Sequence, residues 1–343
     1  MKKTLLFIAL SISFTLLFAQ ESEDFKPSGK LTGSVFQNFN YIFSAGENQR
    51  SSFEVERAYI GYKYEFSKNI SGKVTYDMEY NAATKNYQSF LKNALIDWKI
   101  IPHLKLSVGL MGLNQFDTQE KNWGFRYIMK SHVDQYKIGT SADLGLNAEY
   151  EINKMFTINA FVLNGEGYKS LQDEMGNHKF GGNIIAKPVE GLTVKAYYSY
   201  APCKHNFSDT LIVDTAAIST MSFFVGYEMK DKFRIGVEYN ALDNGKDYKK
   251  YAEDYQLSGL SIYSTYIINK KFDVFARYDL AQSNKVNGAK DTWNISNDGY
   301  LMLGGIQYKA TKGVNLALNY RHWVCAKDEK PLSGVYCNFM FSF

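Results

Sequence analysis

The sequence predicts an all-β chain: a transmembrane antiparallel β-barrel of sixteen strands, with short periplasmic turns on one rim and long extracellular loops on the other. Three observations carry that reading. The last ten residues, GVYCNFMFSF, place Val335, Cys337, Phe339, Phe341 and Phe343 on one strand face and Tyr336, Asn338, Met340 and Ser342 on the other, apolar against mixed. Short turns alternate with longer polar connections along the whole chain. Aromatic residues make up 16% of the sequence, with 26 Tyr and 24 Phe, more than a soluble core uses and in keeping with girdles at two membrane interfaces.

Taken in order, residues 1–19 read as a secretory signal peptide. Lys2 and Lys3 precede the apolar run Leu5–Phe18, and Ala19 is a small residue suited to cleavage. The run is short for a membrane span, and the charged ESEDFK follows at once. Residues 20–343 form one domain. Its first predicted strands are Lys30–Phe43, Phe53–Phe66 and Ile70–Tyr80. In the second, Ala58, Ile60, Tyr62, Tyr64 and Phe66 face out, and Arg57, Tyr59 and Lys63 face in. In the third, Val74, Tyr76 and Met78 alternate with Lys73, Thr75 and Asp77. Predicted strands Lys92–Ile101 and Leu104–Met111 turn at Pro102–His103. Ala142–Tyr150 and Met155–Asn164 turn through EINK, Phe180–Lys187 and Leu192–Tyr200 through PVEG. Thr220–Met229 and Phe233–Leu242 are joined by KDK, Leu257–Ile268 and Phe272–Leu280 by NKK, and Tyr300–Tyr308 and Val314–Trp323 by KATKG. The closing strand ends the set. With Ser67–Asn69 between the second and third strands, seven tight turns thus alternate with longer connections, among them Asn81–Leu91, Gly112–Ser141, Pro202–Ser219 and Ala281–Gly299.

The inward positions hold many charges, among them Lys73, Asp77, Asp97, Lys99, Lys105, Asp143, Glu149, Lys195, Glu228, Arg234, Glu238, Arg277 and Arg321. A dry interior would tax each unpaired ion by several kcal/mol, and a water-filled lumen removes that cost. Outward Phe233 and Tyr239, like Phe272 and Tyr278, stand six residues apart, roughly 15 Å of height on a tilted strand and close to the spacing of two girdles. Export together with this barrel pattern places the chain in the outer membrane of a Gram-negative bacterium, with lipid as its first partner.

Composition excludes several classes. The formal charge is +4, and +2 without Lys2 and Lys3, which argues against nucleic acid. The three cysteines, Cys203, Cys325 and Cys337, have no metal-ligand spacing; Cys203 and Cys325, both read as loop residues, could pair. The five histidines, His132 among them, read as unconnected loop or rim residues, and DNGKD (Asp243–Asp247) as a plain turn rather than a calcium loop. No catalytic or phosphate-cradling motif occurs, so neither an enzyme nor a cofactor is expected.

Several stretches resemble the phosphate-selective porin O and P family: FEVERAYIGY (Phe53–Tyr62), VGLMGLNQFDTQEKNWGFRYI (Val108–Ile128), ADLGLNAEY (Ala142–Tyr150) and FVLNGEGY (Phe161–Tyr168). The closing strand also resembles those whose terminal Phe, here Phe343, is recognised by the barrel-insertion machinery. The first resemblance implies a sixteen-stranded porin, commonly a homotrimer, constricted by inward-folded loops. Of that family's second-strand arginines only Arg57 has a match, and inward carboxylates interleave with the inward cations, so phosphate selectivity is not carried over.

The Gly112–Ser141 connection is the candidate constriction. It carries Asp117, Glu120, Lys121, Arg126, Lys130, His132, Asp134 and Lys137 beside Trp123, Phe125 and Tyr127. Folded inward, those charges would pass small polar or zwitterionic solutes and reject apolar ones. The expected function is passive diffusion of small polar solutes or ions, lined by Arg57, Lys73, Asp77, Lys105, Glu120, Lys121, Arg126, Lys130, Lys195, Arg234, Arg277 and Arg321. The alternative is an adhesin or receptor acting through the long outer loops.

Overall fold

The computed structural model describes residues 25–343 apart from 45–48, 82–83, 171–177, 203–205, 209–210, 214–216, 245–254 and 328–329. The predicted signal peptide, Cys203 and most of DNGKD lie outside the described residues.

The strands, in chain order, are β1 (Ser28–Ser44), β2 (Arg50–Glu65), β3 (Ile70–Asn81), β4 (Asn86–Ile101), β5 (Leu104–Gly112), β6 (Ala142–Glu151), β7 (Phe156–Leu163), β8 (Lys179–Ala186) and β9 (Leu192–Ala201). A short separate hairpin, β10 (Asn206–Ser208) and β11 (Leu211–Val213), precedes β12 (Ile218–Met229), β13 (Phe233–Asp243), β14 (Gln256–Ile267), β15 (Phe272–Ser283), β16 (Gly299–Thr311), β17 (Val314–Cys325) and β18 (Leu332–Ser342). All but β10 and β11 pair with their neighbours, antiparallel, into one closed barrel, which β1 and β18 seal. Closure leaves none of the sixteen as an edge strand, as a membrane requires.

Period-two alternation sorts the side chains. Ile235, Val237 and Tyr239 on β13, and Phe223 and Val225 on β12, are exposed on the outer surface, while the intervening Glu238, Asn240 and Ser222 are buried inside. Outward rings collect at both rims: Tyr227 lies against Phe233 (centroids 5.8 Å apart) and Phe272 against Tyr308 (5.1 Å) near the turns, and Tyr278 stacks on Tyr300 (6.1 Å) towards the loops.

The turns use their own side chains. Asn153 Oδ1 accepts from the N–H groups of Met155 (2.8 Å) and Phe156 (3.0 Å), and Asn269 Oδ1 accepts from Lys271 (2.8 Å) and Phe272 (3.0 Å) in the same way. At the seam, Gly33 and Phe343 exchange two backbone hydrogen bonds of 3.0 Å. A Cβ on Gly33 would stand 2.3 Å from the Phe343 ring, so the terminal ring lies directly over Gly33 and a larger residue there would displace it.

Two expectations change. The long connection expected over Asn81–Leu91 shrinks to 82–85, because β4 starts at Asn86. A register shift opposite Thr75 and Tyr76 leaves Lys92 as an extra residue, and this bulge breaks the alternation that would have marked residues 86–91 as strand. Cys325, read as a loop residue, is the last residue of β17.

Candidate functional site

The 113–141 connection supplies the site. Its first helix, α1 (Asp117–Trp123), buries Gln119 and Trp123. It ends at Gly124, whose φ of 74° and N–H bond to the Glu120 carbonyl (2.9 Å) close the last turn. A Cβ there would also meet the Arg234 guanidinium at 2.6 Å and oblige it to move. A single turn, α2 (His132–Gln135), follows and buries His132 and Val133. Neither helix was legible in the alternation-based reading, since each is shorter than a periodic pattern can define.

This connection is fastened to the inner faces of β9 and β13–β18. The Tyr263 hydroxyl donates to the Gln119 carbonyl (3.0 Å), Arg277 Nη1 to Lys130 O (2.7 Å) and Arg321 Nη2 to Ile128 O (2.9 Å). Tyr127 donates to Gln307 Oε1 (2.8 Å), and Lys195 Nζ to Asp117 Oδ1 (2.9 Å). His132 is buried, not a rim residue. Its Nε2 lies 3.0 Å from the Leu280 carbonyl, which can only accept, so Nε2 carries the proton and Nδ1 accepts from Asn240 Nδ2 at 3.1 Å. Burial holds its pKa below the usual imidazole range. Around these bonds lies a dry core: Trp123, Phe125, Ile128 and Met129 pack on Phe224, Tyr263, Phe275, Leu301 and Leu303 of the wall, while Val133, Tyr136 and Ile138 pack on Leu242, Leu257 and Ala281. The expected polar interior is therefore apolar where this connection covers the wall.

The sequence-predicted site residues divide accordingly. Lys195, Arg234 and Arg277 are turned to the connection rather than to open space: Arg277 lies 5.2 Å from the Trp123 ring centroid and Arg234 5.6 Å from that of Phe125. Arg321 reaches the connection too, yet also borders open space beside Glu54 and Glu56. Arg277 also holds Asp279 through two 2.7 Å bonds, both side chains fully buried. On the opposite wall Arg57 binds Asp77 (2.7 Å) and Glu79 (2.5 Å). Lys105 pairs with Glu149 (2.8 Å), Lys73 is exposed on β3, and Lys121 reaches only to Asp117 at 3.8 Å. Glu120 and Asp134 hold Arg126 between them, each at 3.2 Å. Burial pushes the Glu120 carboxyl up despite Arg126. It pushes Asp134 up as well, but Arg126 and Lys130 outweigh it and leave Asp134 below the usual carboxylate range. Burial likewise lowers Lys130.

Sequence reasoning missed the residues that bulges deliver. Lys92, the extra residue of β4, points inward, 3.5 Å from Asp77 and 4.8 Å from the centre of the Tyr59 ring. On β2 a register shift opposite Phe36 and Gln37 leaves Glu56 unpaired with β1, so Glu54, Glu56 and Arg57 all face inward while Val55 faces out. The 164–170 segment was missed too: the Tyr168 hydroxyl donates to Asp77 (2.8 Å) and Lys169 pairs with Glu79.

Between the connection and the β1–β5 wall lie three cavities that share Arg126. One of 750 Å³ towards the loop rim reaches Glu54, Glu56, Arg57, Lys130 and Arg321. One of 440 Å³ towards the turn rim is lined by Tyr59, Lys73, Lys92 and Glu120. A third, of 260 Å³, lies at the base of the connection by Asp117 and Asp134. Among the described residues no group of His, Cys, Asp and Glu is placed to hold a metal ion.

A closed barrel of sixteen strands, greasy outside and charged within, around an internally packed connection, defines a transmembrane barrel of the bacterial outer membrane. The chain belongs to the family described as "Putative beta-barrel porin-2, OmpL-like", which matches residues 141–333. It is thus a porin of the Gram-negative outer membrane, in a family other than the phosphate-selective porins that its first half resembles. Similar solved structures include the outer membrane channel DcaP of Acinetobacter baumannii (13% identity, 94% of this chain and 99% of that one, TM-score 0.68). Another is OmpF of Salmonella typhi, in complex with daunomycin (13%, 92% and 97%, 0.68). A third is an anion-selective porin from Comamonas acidovorans (10%, 93% and 100%, 0.61). At such identities the likeness is one of fold. No curated protein matches the chain significantly.

Proposed function

We propose that the mature protein, residues 20–343 after removal of the leader 1–19, is a diffusion porin for small polar solutes or ions. The 113–141 connection narrows its lumen. The observation that carries this is the division of the interior: one wall is filled by a dry core, and the other is left open beside Arg57, Lys73, Asp77, Lys92, Glu120, Arg126 and Lys130. Solutes then pass off-centre, along β1–β5, through a screen of both charge signs. The function in this reading is transport without chemistry. Phosphate selectivity is not part of the proposal, because Lys195, Arg234 and Arg277 are engaged with the connection and the open wall interleaves carboxylates with its cations. Trimer formation and recognition of Phe343 by the insertion machinery belong to the same reading. Reconstitution in planar bilayers tests it: stepwise conductance is expected, and its absence from a correctly folded barrel would overturn the proposal. Loop-dependent partner binding without conductance would instead favour an adhesin or receptor.

A further inference from the structure

The 750 Å³ cavity above Arg126 differs from the charge clusters directly below it in how its charges are satisfied. Below it, Arg57 is tied to Asp77 and Glu79, Lys92 lies beside Asp77, and Arg126 is held by Glu120 and Asp134. Four other charged residues face the cavity: Glu54, Glu56, Lys130 and Arg321. Among the described residues none of the four has an oppositely charged group within 4.0 Å. Glu56 accepts from Asn38 Nδ2 at 2.7 Å, and Glu54 accepts from the same amide at 3.4 Å and from Ser52 at 2.8 Å. Arg321 donates to the Ile128 carbonyl and to Asn319 (2.9 Å each) and lies 3.7 Å from the centre of the Tyr336 ring, so its close partners are neutral and the carboxylates beside it stand beyond 4.0 Å. The two carboxyl groups come from the β2 bulge, and the two cations come from β17 and the connection. Above the Arg57–Glu79 pair β2 no longer pairs with β3, and the cavity extends into that cleft beside the Tyr80 and Tyr87 rings, 5.6 Å apart.

We infer that this cavity is a binding subsite for small zwitterions carrying an apolar substituent, amino acids and short peptides by chemical class. The solute's ammonium lies on Glu54 and Glu56, and its carboxylate on Lys130 and Arg321. A volume of 750 Å³ is within the range of small-molecule pockets and holds a dipeptide with water to spare. A solute with one charge satisfies half of the site and leaves the other half as it was. The inference rests on the porin reading and names the solutes that such a pore would favour.

The test is proteoliposome swelling with the full mature chain and three probes of nearly equal size: alanyl-phenylalanine, its N-acetyl derivative and its carboxamide. One ionic contact at about 4 Å in a wet lumen changes occupancy about fivefold. The free dipeptide is therefore expected to enter about fivefold faster than either blocked form. Glu54→Gln with Glu56→Gln should remove its advantage over the N-acetyl form, and Lys130→Gln should reduce its advantage over the carboxamide. Equal entry of all three probes into wild-type vesicles would overturn the inference with no variant needed, and so would an advantage that survives both sets of substitutions. Vesicles that swell with none of the probes, nor with a neutral sugar, would overturn the porin reading itself.

Discussion

Arg277 offers the sharpest handle on the connection that fills one side of the barrel. Its fully buried guanidinium makes two 2.7 Å bonds to Asp279 and one to the Lys130 carbonyl, and lies on the Trp123 ring. Arg277→Leu would strand the Asp279 carboxylate with Ser261 as its remaining hydrogen-bond donor, at 2.6 Å. Breaking a buried pair in this way costs about 3–5 kcal/mol. The part that belongs to docking of the connection is smaller: a charge-assisted bond to a carbonyl, about 1.5–3 kcal/mol, plus the ring contact. A loss of about 2 kcal/mol raises the undocked population about thirtyfold. The two parts separate in the double variant Arg277→Leu, Asp279→Leu, which removes the stranded charge but not the lost anchor. The single variant should lower the temperature at which the barrel loses its folded mobility on gels and should conduct with larger, noisier currents. The double variant should recover most of the stability and keep the noise. Wild-type conductance and noise in the double variant would refute the assignment of Arg277 as an anchor.

Other expectations follow from the same contacts. Trp123→Ala opens a cavity beside Phe125, Tyr263 and Phe275 and should cost about 3–5 kcal/mol, read as a fall in melting temperature together with raised conductance. Because burial lowers the His132 pKa, the imidazole is bound neutral. Its contribution is therefore complete above the unfolded value near 6.5 and declines as pH falls below it, so current noise should rise on acidification and lose that component in His132→Gln. Gly33→Leu would drive a side chain into the Phe343 ring, and should reduce the fraction of heat-modifiable, assembled barrel more than Gly304→Ala, where a Cβ makes only an ordinary contact with the Phe275 carbonyl at 3.7 Å. Asn269→Ala removes two turn bonds of 2.8 and 3.0 Å and should cost about 1–2 kcal/mol in a denaturant titration.

The sequence by itself determined which chain segments cross the membrane and which way each strand faces, because alternation is local: a residue's face follows from its neighbour's. That logic holds on β13 and β15, where no register shift interrupts pairing. It located Arg57 and Asp77 on the inside and marked Gly112–Ser141 as the candidate constriction. It failed where one extra residue resets the phase, so Lys92 and Glu56 went unseen as wall charges. Only the tertiary structure decided what each inward charge is for. Arg277 and Arg57 are the same residue type at the same kind of strand position, yet one is stapled to Lys130 and Trp123 and the other stands on the open wall with Asp77. The difference is set by which wall a connection far away in the chain lies against. That choice depends on shape and burial across the whole barrel, and no window of neighbouring residues records it.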